Sequence, residues 1–131
     1  MTPEQKKILK EHIIGLVQLF NKEGVDIKPY PKVVFKESND PNDITSPTGH
    51  YSSADNTLVL YCNGRAPKDV LNTTSHELWH KHQDVKGKLD KSKLGNTTTN
   101  YTNGTDYLKE IEEDAYVNGN IMRRKYTESL S

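Results

Sequence analysis

Apolar residues recur along the first twenty positions at the spacing of one helical face. Leu9, Ile13, Leu16, Val17 and Phe20 fall three or four residues apart, which predicts a helix over 3–22. Thr2 can cap it, Pro3 suits its first turn, Glu4 and Gln5 follow, and Gly24 stops it. The pattern then changes. Residues 32–36, Lys-Val-Val-Phe-Lys, follow two prolines and read as a short strand, whereas 37–48 carry the Asn, Asp, Pro, Ser and Thr of a loop. A hairpin is expected over 49–61, with a turn at Ala54-Asp55-Asn56 and the clearest strand at Thr57-Leu58-Val59-Leu60-Tyr61. A second helix opens near Pro67 and runs to about Lys86, where Gly87 ends it. Residues 90–105 are polar and read as a loop. A third helix follows over about 106–125, with Leu108, Ile111, Ala115 and Ile121 as inward positions. The order is helix, three strands, helix, loop, helix: an α+β class with a small sheet, antiparallel or mixed, packed with three helices.

Composition narrows this. The 131 residues suit one domain, 1–131, but only 32% are apolar and the mean hydropathy is −0.87. A thin core is expected, which a bound ligand or metal would reinforce. Eighteen basic residues balance 18 acidic ones. No basic surplus points to nucleic acid, and no apolar run points to a membrane. Cys62 is the single cysteine, so no internal disulfide forms, as in a reducing compartment or in a secreted protein that does not use disulfides. The N-terminal run lacks the unbroken apolar stretch of a signal peptide, so a cytoplasmic monomer is expected.

The candidate chemistry lies in the second helix, at His76-Glu77-Leu78-Trp79-His80. Histidines four apart stand one above the other on a helix, so both imidazoles can meet one zinc ion per chain. Glu77 is rotated aside, where a carboxylate can take a proton from a metal-bound water. A catalytic zinc usually has three protein ligands. The third helix offers Glu110-Ile111-Glu112-Glu113-Asp114-Ala115-Tyr116, in which Glu110 and Asp114 share a face. One of that pair can bind metal while the other orients a ligand histidine.

His76-Glu77-Leu78-Trp79-His80 followed by Glu110-Ile111-Glu112-Glu113-Asp114 resembles the gluzincin pattern of thermolysin-like peptidases, in a pared-down, single-domain form. The resemblance covers about 70–125. It implies a zincin-like fold with an active-site helix and a glutamate helix, and hydrolysis of peptide or protein substrates. It implies Glu110 as third ligand and Asp114 as the support of His76. A different helix register would move the ligand to Glu112 or Glu113. Tyr101, nine residues before Glu110, stands where thermolysin-like enzymes carry a supporting tyrosine; as an oxyanion donor it competes with Tyr107 and Tyr116. The transition-state histidine of the larger enzymes has no counterpart. The strand 57–61 is either an ordinary interior strand or an edge against which extended substrate pairs.

His82 falls on another face from His80, His12 is peripheral, and His50 can approach the cleft from the hairpin. Trp79 and Cys62 read as core residues. Three rivals share the motif: a non-catalytic, zinc-stabilised binding module, a latent enzyme whose 126–131 tail fills the cleft, and a hydrolase of non-peptide amides.

Overall fold

A computed structural model describes residues 2–37, 48–62, 64–89 and 106–130. The capping expected of Thr2 is present as a reciprocal pair. Its Oγ1 accepts from the Gln5 amide at 3.2 Å, and Gln5 Oε1 accepts from the Thr2 amide at 2.9 Å. Helix α1 then runs over Pro3–Lys22 and buries Leu9, Ile13, Leu16 and Phe20.

Three strands follow: β1 (Lys32–Lys36), β2 (Gly49–Ser52) and β3 (Thr57–Tyr61). Their order is β1-β3-β2, with β1 parallel and β2 antiparallel to β3. The sheet is therefore mixed, and its edges are β1 and β2. Residues 57–61 form the central strand, so the interior alternative holds and β2 is the edge beside helix α2 (Pro67–Val85). The closeness of β2 to α2 requires Gly49. A Cβ there would lie 2.7 Å from Thr73 Cγ2 and 2.8 Å from the Val59 carbonyl oxygen. Tyr51 also holds the edge down, donating its hydroxyl to Asp84 Oδ2 at 2.6 Å.

Helix α3 (Asp106–Ser129) buries Ile111, Ala115, Gly119, Met122 and Tyr126. Ile121, expected inside, is 42% exposed, and Met122 takes the inward place. The stripe 111, 115, 119, 122, 126 keeps helical spacing, and Ile121 lies off it. Tyr126 belongs to the core: its hydroxyl meets His12 Nδ1 at 2.8 Å, and its ring fills the notch over Gly15. The described part of the tail thus continues α3 against α1 and does not fill the cleft. The core gathers α1, Leu58 and Leu60 of β3, Val70, Leu71 and Leu78 of α2, and the end of α3. Among the described residues, no helix is long and apolar enough to cross a membrane.

Candidate metal centre

Helix α2 supplies both histidines on one turn. The His76 and His80 rings lie 4.8 Å apart, nearly perpendicular at 85°. Helix α3 crosses close by because of Gly119. A Cβ at that position would sit 3.0 Å from His76 Cα, while Ser75 Oγ donates to the Gly119 carbonyl at 2.6 Å. Two turns before Gly119 on the same stripe stands Glu112. Its Oε2 lies 3.4 Å from His76 Nε2 and its Oε1 3.3 Å from His80 Nε2.

The carboxylate that meets the histidines is therefore Glu112. Glu110, the expected ligand, is exposed and stands apart. The physical reason is the stripe: Glu112, Ala115 and Gly119 face α2, and residue 110 is rotated away from them by about 160°. Asp114 does not support His76 either. Its Oδ2 accepts from Trp79 Nε1 at 2.8 Å and from Gln83 Nε2 at 2.9 Å, and its Oδ1 accepts from Asn118 Nδ2 at 2.7 Å. Burial works against its charge, but these bonds and Lys88 outweigh it and hold the carboxyl below its ordinary range.

The sequence reading missed Gln83. Its side chain is buried, with Oε1 2.8 Å from His80 Nδ1 and Nε2 2.9 Å from the Ile111 carbonyl oxygen. Its spacing of three from His80 is the one signal that marks it.

The donor set suits a metal. All three ligand atoms lie within 4.8 Å of one another. Each nitrogen–oxygen separation, 3.4 Å to one oxygen of Glu112 and 3.3 Å to the other, is close to the ligand–ligand distance of about 3.3–3.4 Å around a zinc with 2.0–2.1 Å bonds. Glu77 is 8% exposed and lines a groove with His76, His80 and Glu112. Burial pushes its carboxyl up; His80 and His76 pull it down, and Glu112 adds to the rise. Hydrogen bonds from His76 and His80 hold the Glu112 carboxyl down at about 2. Burial lowers the His80 imidazole, but Glu112, the Glu77 charge and Gln83 outweigh it and raise it above its ordinary value.

The groove has a volume of about 610 Å³. Edge strand β2 walls one side at Thr48–Tyr51, and Leu89, Leu108 and Ile111 give an apolar side. His50 lines this groove, as expected, and its ring lies 6.1 Å from that of Tyr61. His82 is drawn off elsewhere, its Nδ1 donating to the Asp26 carbonyl at 2.8 Å. Tyr101 lies outside the described residues. Tyr107 donates its hydroxyl to the Lys88 carbonyl, whereas Tyr116 lines a second groove with His76 and Glu112. Compared with family models, curated proteins and solved structures, the chain matches none.

Proposed function

We propose that this chain is a zinc-dependent peptidase, with the metal on His76, His80 and Glu112 and with Glu77 as general base. The observation that carries this reading is the meeting of three ligand atoms from α2 and α3 beside a buried glutamate in an open groove. The gluzincin resemblance supports it at His76-Glu77-Leu78-Trp79-His80. The Glu-x-x-x-Asp half does not carry over as expected, because the grouped carboxylate is Glu112.

A bound zinc would supply a water acidified towards a pKa of about 7 and a positive charge for the scissile carbonyl. Glu77 takes a proton from the attacking water on its carboxylate and passes it to the leaving amine nitrogen. Its burial raises the basicity of that carboxylate, and His80 and His76 beside it offset part of the rise. Among the described residues β2 is an edge strand, whose outer side gives backbone donors and acceptors to an extended peptide, with little selection of sequence. The apolar side of the groove receives a side chain next to the scissile bond.

A second reading has its own support. Ligands from both α2 and α3 would let a metal act as a cross-link, as in a zinc-stabilised binding module.

The test is metal content followed by turnover. One zinc per chain is expected in the wild type and in Glu110→Ala, and none in His80→Ala or Glu112→Ala. Glu77→Gln should keep its zinc and lose at least about 100-fold in hydrolysis of a peptide library. Zinc binding without hydrolysis by the wild type would favour the binding module. Full activity in Glu77→Gln would rule out the base.

A further inference from the structure

We propose that Gln83 is a positioning residue that selects which nitrogen of His80 faces the metal, carrying the hold of Asp114 to a histidine that Asp114 does not touch. This rests on the metal reading above. The two ends of the Gln83 amide face different partners, which decide its orientation. One end lies 2.9 Å from the Ile111 carbonyl oxygen and 2.9 Å from Asp114 Oδ2. Both are acceptors, so that end is the NH2 group, and its two hydrogens are both used. The end facing His80 Nδ1 at 2.8 Å is therefore Oε1. A carbonyl oxygen only accepts, so Nδ1 carries a hydrogen. In the neutral ring the lone pair then sits on Nε2, the nitrogen that faces Glu112.

Each member of this relay is itself fixed. Gln83 is 1% exposed, so its amide has no water to turn towards. Asp114 is clamped on three sides by Trp79, Asn118 and Gln83. His76 is built differently, since among the described residues no hydrogen bond reaches its Nδ1. The two histidines are thus unequal. His80 presents Nε2 in one orientation, and His76 is free to turn onto a metal already held.

Gln83→Glu separates the relay from simple packing. The new carboxylate keeps the size of the amide and still accepts from His80, but it has no hydrogen for Asp114 or the Ile111 carbonyl oxygen.

The experiment measures zinc affinity of the full chain by competition with a chromophoric chelator, together with ring nitrogen shifts of His80 in the zinc-loaded protein. Gln83→Leu and Gln83→Glu should each bind zinc about 10- to 100-fold more weakly than wild type. The wild-type His80 should show a protonated Nδ1 and a coordinated Nε2, a readout that holds even if Gln83→Leu fails to fold. Wild-type affinity in both variants, or coordination through Nδ1, would overturn the relay alone. Equal zinc binding by wild type and His80→Ala, or no zinc in either, would overturn the metal reading and the relay with it.

Discussion

Glu112 and His80 shift one another's protonation in opposite directions, and the signs fix how the site responds to pH. With the Glu112 carboxyl held at about 2, its pairing stabilises the fold above the ordinary 4.5 and is lost as pH falls through 2. The His80 imidazole is raised, so its contribution is full below 6.5 and fades as pH rises through the higher folded value. The metal-free protein should therefore draw most from this pair between 4.5 and 6.5. Thermal melts in chelator across that range check it, with His80→Ala flattening the upper limb. Zinc affinity runs the other way. Proton and metal compete for Nε2, so affinity should climb about tenfold per pH unit for each proton displaced, then level off once His80 is neutral. Affinity that stays flat from pH 6 to 8 would take His80 out of the ligand set.

Among the elements, the contact of α2 with α3 does most to shape the site, and it turns on Gly119. Alanine there gains about 1 kcal/mol of helix propensity. Its Cβ would meet the backbone of His76 at 3.0 Å, and overpacking against a neighbour that cannot yield costs about 1–3 kcal/mol. The expected result of Gly119→Ala is a lower urea midpoint with weaker zinc binding; a higher midpoint with unchanged zinc would separate the crossing from the site. The same glycine explains what the sequence made legible. Helix α1, the hairpin, α2 and its histidine pair follow from local spacing and capping, and all stand where that spacing puts them. On α3, apolar character pointed to Ile121, whose stripe includes Glu110, Asp114 and Val117. The stripe that meets α2 at the site is Glu112, Ala115 and Gly119, on which a close approach belongs to a residue with no side chain. Hydrophobicity cannot mark such a contact. Gln83 was hidden for a related reason, since its role depends on partners from α3 that no spacing within α2 reveals.

At the scale of the whole molecule, a chain only 32% apolar supplements its core with a polar tie between two helices at the groove. A ligand that binds only the folded state adds about 4 kcal/mol at a thousand times its Kd. Zinc should therefore raise Tm by several degrees in the wild type and leave His80→Ala unmoved; equal shifts in both would place the metal elsewhere. The spacing of the ligands along the chain also bears on the order of events in folding. His76 and His80 are one turn apart, so a metal can seize them while α2 is still forming and hold that turn against fraying. Glu112 arrives only after the intervening chain has closed. Zinc should thus quicken refolding as well as slow unfolding, and both effects should vanish in His80→Ala. Stopped-flow traces with and without the metal would show zinc acting at both ends of the folding path, or at the native end alone.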